Sequence, residues 1–237
     1  MSARNTAESA PLRLTPRSAA TRATLISVAE RLFADKGVDG VTLHEIGKAA
    51  GQRNAAVCQY HFGNKEGLLQ AIIDKHVPGI VARRHDLLDH IEQKDAMSVR
   101  DVVRAFVQPV AEKLADLDGG RDFVVLNAQL LAIHTVSVQQ LGTSPLKLPA
   151  TDRFSRTLTR ALAPLGLPKA VLMQRMLLAA VLLFHGLADH SRMLETANKQ
   201  NPTMDTNLFV NTLQEGIEAL LSSPATLLPR NTEWQPS

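Results

Sequence analysis

The sequence predicts an all-α protein in two parts: a small three-helix unit near the N-terminus and a larger helical unit behind it. Two observations lead there. From Leu25 onward apolar residues recur at helical spacing, and no segment alternates apolar and polar residues as a half-buried strand would. Capping residues and glycines then divide the periodic stretches into separate helices.

Residues 1–18 are rich in Ser, Thr, Ala and Pro, carry Arg4, Arg13 and Arg17, and lack an apolar period, so they read as a mobile basic arm. Leu25, Val28, Ala29, Leu32 and Phe33 form the stripe of a first helix, and Gly37 stands where its C-terminal cap belongs. Asp39-Gly40 makes a turn. Thr42-Leu43-His44-Glu45 has the form of a capping box, which starts a short second helix that carries Leu43, Ile46, Ala49 and Ala50 inward and stops at Gly51. A third short helix is expected from about Ala55 to His61. Asn64 caps a fourth, with Leu68, Leu69, Ile72 and Ile73 inward. Pro78 is expected to break or kink the chain, because proline removes a backbone donor and crowds the preceding turn.

Later helices are expected at 79–93, 98–117 (bent at Pro109), 121–135, 151–164, 168–198 and 204–222, with a loose tail over 223–237. The domain boundaries are accordingly 1–18, 19–76, 77–222 and 223–237. The longest apolar run, Met176–Phe184 continued to Ala188, contains His185 and falls short of a bilayer span of about 20 residues, so it reads as a buried helix and no membrane partner is expected.

Charge is unevenly placed. Residues 1–76 carry 10 Lys and Arg against 7 Asp and Glu, whereas 77–237 carry 16 of each, so the whole excess of +3 lies at the N-terminal end. A basic end on a neutral body suits a polyanionic partner. The single cysteine, Cys58, excludes an intrachain disulfide framework and fits a reducing, cytoplasmic setting; it reads as a small buried filler. No signal peptide is expected, because Pro11, Thr15, Pro16 and Arg17 interrupt the start of the chain.

Two short helices joined by a glycine turn and braced by a longer one make a helix-turn-helix, whose second short helix can enter a major groove. Here that reader is residues 54–61. Gln52, Arg53, Asn54 and Gln59 include the side-chain types that bond base edges, Arg to guanine and Asn or Gln to adenine.

The run from Ala29 to Leu69 resembles the TetR family of transcriptional regulators. The resemblance is carried by Ala29, Phe33 and Gly37, by Val41-Thr42-Leu43 with Ile46 and Ala49-Ala50-Gly51, and by Tyr60-His61-Phe62-Gly63-Asn64-Lys65-Glu66-Gly67-Leu68. It covers about a sixth of the chain. It implies phosphate contacts at Thr42, Tyr60, His61 and Lys65, and base reading over 52–59, Ala55 included. It also implies double-stranded operator DNA as partner, a homodimer, a small-molecule effector, and repression as the usual outcome. Lys65 fits on physical grounds too, since it opens a helix whose free amides and positive dipole end attract phosphate.

The second half offers polar residues on apolar faces. Asn127 and His134 stand seven apart on one helix, and Gln174, Leu178, Val181 and His185 align on another. Asn127, His134, Gln174 and His185 are the candidate effector-binding residues, against the plainer reading that each bonds a neighbour in an ordinary core. Leu177, Ala180, Phe184, Leu187, Phe209, Leu213, Ile217 and Leu220 are the expected dimer surface.

An enzyme is disfavoured. There is no glycine-rich phosphate loop, nucleophile elbow or His-Glu-x-x-His, and His185 and His190 are five apart and diverge, so neither metal nor cofactor is expected. The remaining rival is a protein of the same fold that binds small molecules or lipids and has lost DNA contact.

Overall fold

The computed structural model describes residues 15–54, 56–93, 97–134, 152–200 and 205–224. Among them all regular structure is helical, as expected.

Helix α1 (Pro16–Lys36) starts earlier than its apolar stripe. The Thr15 side chain accepts from the Ser18 amide at 3.3 Å and Pro16 occupies the first helical position, where its missing N–H leaves no bond unmade. Residues 16–18, expected in the arm, are therefore helical. Leu25, Ile26, Ala29 and Phe33 are buried, and Gly37 ends the helix at φ 78° with its amide on the Phe33 carbonyl.

Helix α2 (Leu43–Ala49) has the expected capping box, with Thr42 accepting from the Glu45 amide and the Glu45 carboxylate accepting from the Thr42 amide at 2.7 Å. Its inward face is centred on Leu43, Ile46, Gly47 and Ala50. Ala49 points outward, contrary to expectation, because it lies about 100° round the helix from that centre. Helix α3 (Val57–Phe62) follows, and Ala55 lies outside the described residues.

Helix α4 (Lys65–Glu92) runs unbroken through Pro78, so the expected break and the separate helix at 79–93 do not occur. Pro78 is exposed, and the carbonyl it leaves without a donor, that of Asp74, is on the exposed side where water can satisfy it. The interruption costs one bond. Meanwhile Ile72, Ile73, Ile80, Leu88 and Ile91 remain buried on one continuous stripe across it.

Helix α5 (Val99–Ala111) is capped by Ser98 and tightens to a 3₁₀ turn at Glu112–Ala115, just past the buried Pro109 and short of the expected end at 117. Helices α6 (Gly120–His134), α7 (Asp152–Leu162, extended by a 3₁₀ turn at Ala163–Leu165), α8 (Lys169–Gln200) and α9 (Thr206–Ser222) complete the body. Helix α6 packs on α8, α9 on α5 and α8, and α7 on α5, around Val103, Phe123, Leu126, Leu183, Leu187 and Ile217.

Helix α1 also packs on α6, which joins the N-terminal unit to the body. At that joint the fully buried Glu30 of α1 accepts from Lys75 Nζ at 2.8 Å and lies 2.9 Å from His76 Nε2, both on α4. Lys75 also reaches Asp118 at 2.9 Å, and the His76 ring stacks on Phe123 of α6. Gly119, at φ 79°, lies so close to the Glu30 carboxylate that a Cβ there would collide with it.

Candidate nucleic-acid interface

The α3 helix has two unlike sides. Cys58 and Phe62 are buried against the N-terminal core, and burial pushes the Cys58 thiol pKa up, which fits the filler role. Arg53, Asn54 and Gln59 are exposed, and Tyr60 is 83% exposed, so its ring is displayed rather than packed.

Around this helix, side-chain bonds fix the backbone. Asn54 Oδ1 accepts from the Ala56 amide at 3.0 Å, so Asn54 shapes the entry to α3, while Gln52 Nε2 donates to the Ala50 carbonyl at 3.3 Å. Asn64 Oδ1 accepts from the Gly67 amide at 2.8 Å and starts α4. Lys65 Nζ donates to the Val38 carbonyl at 2.8 Å, which ties the head of α4 to the turn between α1 and α2. An ammonium has three protons, so this bond leaves two for an anion. Thr42 is exposed, but its hydroxyl donates to Glu45 at 2.8 Å, and hydrogen bonds from Thr42 hold the Glu45 carboxyl below its usual pKa.

His61 is half-buried, edge-on to Tyr60 at 5.2 Å between ring centres. Burial, helped by the nearby Arg22 charge, pushes His61 below the ordinary histidine range, which favours its neutral form. The Arg22 guanidinium lies over the Phe62 ring at 5.1 Å and bridges α1 to the end of α3. The sequence pattern assigns Arg22 no role when the helix is begun at Leu25; the Thr15-Pro16 start signal is what places it.

Thr42, Gln52, Arg53, Asn54, Gln59, Tyr60, His61 and Lys65 thus gather on or beside α3 and the two helix starts that flank it. The effector candidates lie on α6 and α8, which pack on each other. Asn127 Nδ2 donates to the Phe123 carbonyl one turn back at 2.7 Å, Gln174 is exposed, His185 is half-buried on α8, and the His134 side chain lies outside the described residues.

Of the residues expected at a dimer surface, Leu177, Ala180, Phe184, Phe209, Leu213 and Leu220 are half-buried. Leu187 and Ile217 are fully buried within one copy, because α8 packs on α6 and α9, and α9 on α5 and α8. The open side of α8 presents Leu178 and Leu182, 50% and 44% exposed, together with Gln174 and the half-buried Val181 and His185. Over Lys169–Thr196 the helix is long and apolar enough to cross a membrane by length and composition, yet only 17% of its most apolar window is buried in the monomer. The run expected to be a buried helix thus carries an open apolar stripe.

An all-helical chain whose N-terminal unit holds a short exposed helix behind a capped turn is a helix-turn-helix protein. Residues 25–72 match the family described as bacterial regulatory proteins, tetR family. Two relatives from Pseudomonas putida, named probable HTH-type transcriptional regulator ArpR and HTH-type transcriptional regulator TtgR, are each 33% identical over 98 residues. That stretch is 40% of this chain and only 42% of the length of each relative. Similar solved structures include a putative TetR-family transcriptional regulator from Rhodococcus sp., at 16% identity and TM-score 0.41 over 86% of this chain and 100% of that one. Another is a gamma-butyrolactone receptor (ArpA-like protein), at 20% identity and TM-score 0.41 over 87% of this chain and 84% of that one.

Proposed function

We propose that this chain is a cytoplasmic DNA-binding transcriptional regulator, without enzymatic activity, that represses as a homodimer from a two-fold-symmetric operator and leaves it when a small molecule binds the body. One observation carries the reading: α3 buries Cys58 and Phe62 and leaves Gln59 and Tyr60 in solvent, with Arg53 exposed in the turn before it. Those polar types bond base edges in a major groove. In this reading Gln52, Arg53, Asn54, Ala55 and Gln59 read bases, while Thr42, Tyr60, His61 and Lys65 hold phosphates. The regulator names carried by the two matched relatives support the same class.

The open apolar face of α8 supports the homodimer, since a second copy would cover it symmetrically. Pairing two heads about 34 to 36 Å apart sets them in successive major grooves, and an effector that changes the spacing weakens binding through differential affinity alone. Gln174 and His185 suit this copy-to-copy face better than an internal pocket. For the effector site, Asn127→Ala and His134→Ala are each expected to abolish the thermal shift that a screened ligand gives the parent chain; an unchanged shift in both removes these two residues from the role.

Selection of bound fragments from genomic DNA tests the main reading. Enrichment of a few inverted-repeat sequences is expected, and recovery no different from random DNA would overturn it.

A further inference from the structure

The end of α4 and the outer face of α7 enclose a cleft of about 390 Å³, lined by Glu92, Arg153, Arg156, Thr157 and Arg160. It lies at the far end of α4 from Lys65, roughly 40 Å away at about 1.5 Å per residue, so it is separate from the interface above. Spacings of three and four put the three arginines on one side of α7. The other side, with Phe154, Leu158 and Leu162, is buried, and the Arg84 guanidinium lies over the Phe154 ring at 5.3 Å. Packing therefore fixes which way the arginines face.

The charges in the cleft do not cancel. Arg153 bonds both nearby carboxylates, Asp89 and Glu92, the latter at 2.9 Å. The second oxygen of Glu92 accepts from the Thr157 hydroxyl at 3.0 Å, so each oxygen of this carboxylate has a partner. Its pKa is held below the usual range, first by the Arg153 hydrogen bond. Among the described residues Arg156 has no ion-pair partner within 4 Å, and Arg160 contacts Met97 Sδ at 3.8 Å while its charge also acts on Glu92 from farther off. Two planar, always-charged donor groups thus line one cleft with Glu92 as the one carboxylate in its lining, and that carboxylate already bonds Arg153 and Thr157.

We propose that this cleft binds a small polyanion, a phosphorylated or polycarboxylate metabolite, with Arg156 and Arg160 as the primary ligands and Arg153 held in place beside them by Asp89 and Glu92. Guanidinium pairs match the bidentate geometry of phosphate and carboxylate oxygens, and the volume admits a ligand of several heavy atoms. The assignment does not depend on DNA binding.

The test titrates the full chain by calorimetry with pyrophosphate and, separately, with citrate, at constant ionic strength set with sodium chloride. Saturable binding of at least one is expected, weakened tenfold or more in Arg156→Gln/Arg160→Gln. Arg100→Gln, which removes an equally exposed cation at the contact of α5 with α9, is expected to bind as the parent does. A stronger response to pyrophosphate marks a phosphate ligand, and a stronger response to citrate marks a carboxylate one. No saturable binding of either, or equal loss in the Arg100 variant, would overturn the site. Unchanged melting of the double variant, whose two residues are both exposed, shows that lost binding is not lost folding.

Discussion

Helices α3 and α8 both leave one face open, but the faces are chemically opposite. Beside and on α3 the exposed groups are Arg53, Gln59 and Tyr60, while on α8 they are Leu178 and Leu182, with Val181 half-buried beside them. A polar face with cations costs little to leave in water and gains by meeting phosphates and base edges. An apolar face of this length loses by staying wet, and its natural cover is another protein surface of the same kind. What a single copy leaves unburied therefore separates the two proposed partners: a duplex at α3 and a second copy at α8.

The joint between the two regions should be the most sensitive place to break. Glu30→Ala leaves Lys75 and His76 without their buried carboxylate and is expected to cost about 3–5 kcal/mol in urea unfolding; a loss below about 1 kcal/mol would show that the joint is not held by this cluster. Next in size is the α8 face. Leu178→Glu with Leu182→Glu should weaken self-association on the order of a hundredfold or more in sedimentation, from about 1.5–3 kcal/mol per buried leucine, and operator affinity should fall with it.

At α3 the expected effects are smaller and differ in kind. Arg53→Ala or Gln59→Ala should cost about 1–3 kcal/mol on the selected operator and little on random DNA, whereas Lys65→Ala should weaken both alike and lower the salt slope by about 1. Competition binding at several salt concentrations separates these outcomes. Equal effects of all three substitutions would merge the two roles.

The smallest effect is a pH dependence. His190 is buried, stacks on Phe209 with ring centres 4.2 Å apart, and is held below the ordinary histidine range by burial. The unfolded chain then takes up a proton at higher pH than the folded one. Stability from this group is present above about pH 6.5 and is lost as pH falls below it. Thermal melting from pH 7.5 to 5 should show the decline, with a shallower one in His190→Gln.

The N-terminal unit is largely legible in the sequence because its signals are local. The Thr42–Glu45 box, the Asn64 cap and the Gly37 stop are each settled within four residues, and all three hold. The start of α1 is equally local, at Thr15-Pro16, but the apolar stripe that begins nine residues later hides it. Other features depend on what lies across the fold. Pro78 reads as a break until the exposure of its turn is known, and no local signal near Glu30 announces Lys75 and His76, which come to meet it from α4. On α8, apolar residues surround most of the helix, so periodicity alone does not say that Leu187 faces inward and Leu178 outward.

The proposal that α3 meets a duplex is tested most directly by fluorescence anisotropy of the full chain on a labelled, genome-selected duplex from 50 to 300 mM salt. Saturable binding whose logarithm falls linearly with log salt, with a slope shallower by about 1 in Lys65→Ala, is the expected result. Absence of salt-sensitive affinity for any duplex, with no small molecule added, would contradict it.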